Sequence, residues 1–337
     1  MKVLFDHSSP FLLAHGGFQI QIEETKKALE ELGVVVDFLR WWEENQRGDV
    51  IHFFGRPSGA YIDLAQKKNI RLVVSELLTG LGARSQRAIV AQRLIVQSIR
   101  KFTPSVFWAK MAWDAYEKAD RVIALTSWEA ELMRRVFGAR PDRTVVIPNG
   151  VAEEFFLASN SSVKRGDRLI CTATIAPRKR VLELAQAAVQ AEVPIRIVGR
   201  AYSDDDPYAR KFFDFAKRNS NFVQYDGSIE ERSMLAKAYR ESRGFVLLSE
   251  MESLSLSALE AAAAKCPVLL SDLPWARAVF KDSATYCPLG STSETAEILR
   301  QFHAAAPTLP LPSAPLRWAE VAARLKSVYE DLLSNSR

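Results

Sequence analysis

A strand–helix alternation that runs through one complete set, breaks, and then begins again constrains this chain more than any other feature. Apolar runs at Lys2 to Phe5, Val34 to Phe38, Val50 to Phe54, Arg71 to Val74, Arg121 to Leu125 and Thr144 to Ile147 are separated by helix-like segments. The clearest of these segments runs from Gln19 to Leu32, and Gly33 follows it, as Gly commonly does just past a C-cap. A further helix is expected over Ser105 to Ala119. Strands alternating with helices imply βαβ units and a parallel sheet. The polar, turn-rich stretch from Leu157 to Gly166 then reads as a linker. A second set follows at Arg168 to Ala173, Ile195 to Val198, Phe222 to Tyr225, Gly244 to Leu248 and Val268 to Leu270, and a Pro-rich passage leads to a closing helix from about Leu316. The expected fold is α/β: two Rossmann-like, doubly wound parallel-sheet domains, residues 1–157 and 158–315, facing a central cleft. The last helix, about 316–335, would pack back on the first domain. A cleft between two such halves is a favoured place for ligands.

The chain's 337 residues suit about two domains. Its 48% hydrophobic and 25% charged content is that of a globular protein with room for a large core. No apolar run approaches the roughly 20 residues needed to cross a bilayer. The N-terminal apolar segment is broken at Asp6, so no signal peptide is expected there. Cys171, Cys266 and Cys287 lack paired spacing, which speaks against a disulfide framework or a zinc site and fits a reducing cytoplasm. Cytoplasmic location is expected, with the cytoplasmic membrane face as the alternative. A formal charge of +5 favours anionic ligands such as nucleotides or lipid head groups without singling out nucleic acid.

Glu252 and Glu260 carry the strongest chemical signal. Glu252 follows the apolar run ending at Leu248, and Glu260 lies in a Leu- and Ala-rich stretch that favours helix. One carboxylate therefore sits in a loop at the carboxyl end of a strand, the edge where open α/β sheets bind ligands. The other sits about two turns along the next helix. Ionised carboxylates accept hydrogen bonds from hydroxyl groups, so the pair suits a polyhydroxylated ligand. Taken alone, the spacing equally suits a surface acid and a solvated helix residue. The basic run Arg178 to Arg180, at an expected strand-to-helix junction, suits a phosphate held by cations and a helix N-terminus. On its own it also suits a solvated surface. Gly16 and Gly17 would let the backbone approach a phosphate or sugar closely, or simply make a turn.

Together these residues resemble a family. The layout is similar to that of GT-B glycosyltransferases, most closely the retaining group called family 4, over nearly the whole chain. Gly16 to Gln19 resembles the glycine loop after the first strand, Ala119 to Ser127 the Ala-Asp strand leading to Ser, and Val146 to Val151 the segment closing the N-terminal domain. Pro177 to Lys179 resembles the donor-phosphate loop, Tyr225 to Gly227 the strand-end Gly near the donor base, and Glu252 to Glu260 the Glu-x7-Glu element. Trp318 to Ala322 resembles the closing helix. The resemblance implies sugar transfer with retention from a nucleotide sugar, such as a UDP- or GDP-sugar, to a hydroxyl of a glycan, lipid-linked or small-molecule acceptor, in glycan biosynthesis. It implies no metal and no other cofactor. By resemblance, Lys179 and Arg178 stabilise the leaving diphosphate, where cations lower the transition-state energy. Glu252 lies by the donor sugar and Glu260 holds the ribose hydroxyls. Gly227 and the backbone of Leu254, Ser255 and Leu256 complete the donor side, while Gly16, Gly17, His15 and His52 fall on the acceptor side or phosphate loop. A lone His at a strand end, as His52 is, is also often structural.

Three departures from the family pattern stand out. Thr172-Ala-Thr174 holds no Arg where relatives carry Gly-Arg, Val74 to Leu78 holds no His, and Ser253 replaces the usual Gly. They keep open a non-catalytic sugar- or nucleotide-binding relative. A sugar-nucleotide epimerase or hydrolase of the same fold is the other alternative.

Ser203 to Pro207 contains an Asp-x-Asp pattern that could ligate a metal, but helix capping is the expected role. The basic amphipathic segment from Ala83 to Phe102 could lie on anionic lipid, in which case a lipid-linked acceptor follows. The expectation is instead a helix that covers the sheet and turns an Arg-lined face to solvent. Trp41, Trp42, Trp108 and Trp113 could stack on sugars; burial is expected for most of them.

Overall fold

The computed structural model describes residues 1–8, 10–11, 16–104, 111–156, 165–203 and 205–334. The chain divides into two compact units, Met1–Gly150 with Leu316–Arg337, and Val151–Pro315. The first boundary precedes the expected one because the short helix Glu153–Phe156 packs on helices of the second unit. Most of the expected linker, residues 157–164, lies outside the described residues.

The first unit holds β1 Lys2–His7, β2 Val35–Phe38, β3 Val50–Phe54, β4 Arg71–Ser75, β5 Arg121–Ala124 and β6 Thr144–Val146. They form one parallel sheet in the order β2-β1-β3-β4-β5-β6. All five residues of β3 are buried, including the polar His52. Helices cover both faces of such a sheet, so central strands read as unbroken apolar runs. The helices that matter here are α1 Gly17–Glu31, α2 Gln86–Phe102 and α3 Ser127–Phe137. Gly16 caps α1 at φ 131°, a backbone conformation that L side chains rarely adopt. Of the helix expected over Ser105 to Ala119, residues 105–110 lie outside the described residues and only Ala115–Lys118 is helical.

The second unit holds β7 Leu169–Thr172, β8 Ile195–Val198, β9 Val223–Tyr225, β10 Phe245–Leu247, β11 Val268–Ser271 and β12 Thr285–Cys287. Its sheet is also parallel, in the order β12-β11-β10-β7-β8-β9. Progress along the chain reverses between β7 and β10, so the loops leaving these neighbouring strands part to opposite faces and open a crevice at their carboxyl ends. The helices that border this edge are α4 Val181–Ala191, α5 Pro207–Arg218, α6 Arg232–Glu241 and α7 Leu256–Ala263. The last helix, α8 Trp318–Ser334, returns to the first unit and packs along α1.

All three cysteines are buried free thiols. No helix among the described residues is long and apolar enough to cross a membrane. Asp206 caps α5 by accepting from the Tyr208 and Ala209 amides at 2.9 and 3.0 Å, so half of the Asp-x-Asp pattern is a helix cap; Asp204 lies outside the described residues. Contrary to expectation, Trp41 and Trp42 are largely exposed. Trp113 packs, partly buried, against the first unit's core, and Trp108 lies outside the described residues.

Candidate active site

The crevice at the β7–β10 junction assembles most of the residues singled out in the second half of the sequence. After β7 the chain makes a tight 3-10 turn, Pro177–Lys179, and enters α4 through Arg180 at φ 52°. Lys179 thus precedes α4 on a separate turn. After β10 the chain runs through Glu252 to the N-cap Ser255, whose hydroxyl accepts from the Ala258 amide at 3.3 Å. The two loops are tied together: the Glu250 amide donates to the Arg178 carbonyl at 2.8 Å. Across this junction the Lys179 ammonium and the Glu252 carboxylate form a largely buried ion pair. Leu254 and Ser255 are buried beside it, and Leu256 opens α7.

Glu260 projects from α7 and accepts from the Tyr239 hydroxyl at 3.1 Å. That hydroxyl, on α6, also bonds Thr172, the last residue of β7. A chain of hydroxyls therefore links the end of β7 to Glu260. Burial pushes the Glu260 carboxyl up to about 7, against the opposing pull of the Tyr239 hydrogen bond and the Arg232 charge. Burial also raises the Tyr239 phenol well above its ordinary range, which keeps it a neutral donor.

Gly227 lies past β9 at φ 70°, and its carbonyl accepts from the Gly199 amide at 2.7 Å. Gly199 itself is at φ 147°, and a Cβ there would fall 1.9 Å from the Ala173 carbonyl oxygen. The ends of β7, β8 and β9 thus meet by direct backbone contact. The Ile175 amide donates to the Arg200 carbonyl at 3.0 Å, which sets an exposed Arg beside the β7 loop. Arg180 turns toward the neighbouring loops, 3.9 Å from Glu250 and 3.4 Å from the Gly290 carbonyl.

Thr172, Gly199, Arg200 and Tyr239 were not assigned roles from sequence. Thr172 appeared there only as part of a stretch, Thr172-Ala-Thr174, that holds no Arg. Tyr239 has no motif spacing to Glu260 and reaches it only because α6 and α7 pack together. Gly199, directly after the apolar run Ile195 to Val198, was the legible one, since a strand-end Gly marks a close backbone approach.

The first-unit candidates are placed differently. His52 is buried between the Tyr329 hydroxyl on α8, at 2.6 Å, and the Ser75 hydroxyl, at 2.7 Å. Burial lowers its pKa to about 3. Both ring nitrogens are engaged inside the core, so His52 is a structural histidine fastening α8 to the sheet, which corrects its assignment to the acceptor side. Gly16 and Gly17 start α1, and His15 lies outside the described residues. After β4, where relatives carry His, Glu76 accepts from the Arg56 guanidinium at 2.9 Å and from the Tyr116 hydroxyl.

Comparison with known proteins places the family and the fold. Residues 19–150 match the Glycosyl transferase 4-like domain model, and residues 153–303 match the model for Glycosyl transferases group 1. The chain is a GT-B glycosyltransferase of the family 4 type. Similar solved structures include sucrose-phosphate synthase from Thermosynechococcus elongatus, at TM-score 0.70 and 17% identity with 100% of both chains covered. HepE from Anabaena, in complex with UDP, matches at TM-score 0.64 and 16% identity over 98% of this chain and 100% of that one. AviGT4, a glycosyltransferase involved in avilamycin A biosynthesis, matches at TM-score 0.63 and 14% identity over 99% and 98%. HepE has also been crystallised with UDP and glucose and with UDP-glucose. At these identities the likeness to the transferase concerns the fold. A search of curated protein sequences finds no match.

Proposed function

We propose that this transferase moves a sugar, with retention, from a UDP-sugar, or from a GDP-sugar as the nearest alternative, to an acceptor hydroxyl. The acceptor classes are those read from the sequence: a glycan, a lipid-linked sugar or a small molecule. The observation that carries the reading is the Lys179–Glu252 pair at the β7–β10 junction, with Glu260 on the helix that follows.

Each group has a task the chemistry requires. As the bond from the anomeric carbon to the diphosphate breaks, negative charge grows on the leaving oxygen, and Lys179 supplies a cation there with Arg178 beside it. Glu252, paired to Lys179, holds the ammonium in place and offers carboxylate oxygens to sugar hydroxyls. Glu260 accepts from the ribose hydroxyls. The amides at the start of α7, after Ser255, point along the helix axis toward any anion placed there. Gly227 leaves its side open, with nothing within 4 Å of a built Cβ, which suits a flat base. The glycine turn at Gly16 and Gly17 is assigned to the acceptor side. No metal is assigned to the transfer step, because Lys179 and the helix amides can meet the leaving charge.

Turnover of UDP-, GDP- and ADP-sugars against a panel of hydroxyl acceptors tests this, with calorimetry of nucleotide binding alongside. Transfer with retained anomeric configuration is expected for one donor, and Lys179→Ala should depress kcat by about a hundredfold or more, the usual cost of losing a preorganised charge. Tight nucleotide binding without turnover on any acceptor would refute catalysis. A free sugar or an isomer as the sole product would refute transfer.

A further inference from the structure

The helix α2 presents to solvent a face that a monomeric globular domain would ordinarily cover. Ile89 and Val96 point into the first unit's core. On the opposite side Val90, Leu94, Ile95 and Phe102 are 53%, 58%, 57% and 76% exposed. At about 100° per residue these positions and Ala91 fall on one outward arc of roughly 140°. The sequence-based expectation of an Arg-lined solvent face is thus corrected: the outward arc is apolar, with Arg87 and Lys101 set within it.

The segment that carries α2 is basic without acidic residues. No Asp or Glu occurs between Glu76 and Asp114, whereas Arg84, Arg87, Arg93, Arg100, Lys101 and Lys110 all fall in that interval. Along one flank of the apolar arc, α2 and α3 border a groove of about 460 Å³ lined by Arg93, Arg100, Arg134, Arg135 and Glu117. Arg100 is bidentate to Glu117 at 3.0 and 2.6 Å, and Arg134 and Arg135 share Glu131. Four guanidinium groups against two carboxylates leave a surplus of positive charge in and beside this groove.

We propose that α2 is a membrane-docking surface for an anionic phospholipid bilayer. The helix would lie in the interface plane, with Val90, Leu94, Ile95 and Phe102 entering the boundary between head groups and acyl chains. Arg87 and Lys101 reach back along their apolar stems to the phosphates, and the arginine groove takes a head group. Exposed apolar side chains alone would fit a second copy or a protein partner equally well. The excess of basic over acidic side chains around them selects a negatively charged lipid surface. This surface lies wholly within the first unit and does not depend on the reading of the donor site.

The test is co-sedimentation of the full chain with large vesicles of phosphatidylcholine alone and of an equimolar mixture with phosphatidylglycerol. Binding is expected to the mixed vesicles only, and to weaken as salt rises. Leu94→Glu with Ile95→Glu should abolish it. Arg87→Ala with Arg93→Ala should weaken it about thirtyfold, each base near an anionic surface being worth about fivefold. Circular dichroism and UDP affinity should match wild type in both variants, which separates lost docking from lost folding. No binding, equal binding to both vesicle types, or a dimer in light scattering that Leu94→Glu with Ile95→Glu dissociates would each overturn the proposal.

Discussion

Protonation of Glu260 should control nucleotide affinity near neutral pH, and the structure sets the size of the effect. Burial raises this carboxyl from the ordinary Glu range to about 7. A ribose diol donates to an ionised carboxylate; a protonated acid is a poorer acceptor and adds a competing donor. Nucleotide binding therefore selects the ionised form. If the free site titrates at about 7, roughly one-eleventh of it is ionised a unit below and ten-elevenths a unit above, so affinity should fall about tenfold between about pH 8 and pH 6. Calorimetry of UDP binding reads this directly. The nucleotide's own phosphate titrates nearby, so the informative quantity is the ratio of wild-type to Glu260→Gln affinity, in which that titration cancels. The ratio should rise about tenfold from about pH 6 to about pH 8. The stability of the ligand-free protein should move in the opposite sense. A folded pKa above the unfolded value means that the native state binds the extra proton, so stability is full below about pH 4.5 and declines as pH rises to about 7. A shift of this size has a ceiling of about 3 kcal/mol, and Glu260 keeps partial contact with solvent, which brings the expected loss to about 1–2 kcal/mol. Glu260→Gln should escape that loss and melt higher than wild type at alkaline pH, while binding UDP less well. Parallel pH profiles of UDP affinity in the two proteins would refute the assignment of Glu260 to the ribose.

Two further expectations concern the scaffold. Gly199→Ala places a Cβ against the Ala173 carbonyl at a backbone angle that disfavours any side chain, so a loss of about 2–4 kcal/mol is expected together with weaker UDP binding; an unchanged melting temperature would contradict the backbone contact. His52 is neutral in the core with a folded pKa of about 3, so its contribution to stability is present above its unfolded value of about 6.5 and is lost as pH falls, by up to about 2 kcal/mol at pH 5. His52→Gln should show a shallower acid destabilisation in thermal melts than wild type, and equal slopes would remove His52 as the cause.

What the sequence disclosed follows from how each signal is encoded. The strands were legible because doubly covered parallel strands are continuous apolar runs, as at Val50 to Phe54 and Val268 to Ser271. The Lys179 and Glu252 loops were legible because each immediately follows such a run, and position after a strand is a local property. Their pairing was not, since it depends on β10 lying beside β7, a fact of sheet order. Tyr239 was hidden for the same reason. His52 misled because a polar residue inside a buried strand looks like a ligand until its partners are known, and one of them, Tyr329, comes from α8 at the far end of the chain. The outward face of α2 was misjudged because its apolar residues occupy nearly the whole circumference. Composition alone cannot tell which side meets the core.

The missing Arg at Thr172 to Thr174 bears on how such a site can keep its electrostatics while changing its residues. On the proposed reading, a departing diphosphate requires positive potential at the carboxyl edge of β7, not an Arg at one position. The same edge holds Arg178 and Lys179 on the turn after β7 and Arg200 after β8, whose backbone is bonded to the β7 loop. Thr172, within the stretch that holds no Arg, bonds the Tyr239 hydroxyl that in turn bonds Glu260. Neighbouring side chains can supply the positive charge, and the last residue of β7 supplies a hydroxyl contact toward Glu260. On that account Thr172 acts through Glu260, and the two positions should be energetically coupled.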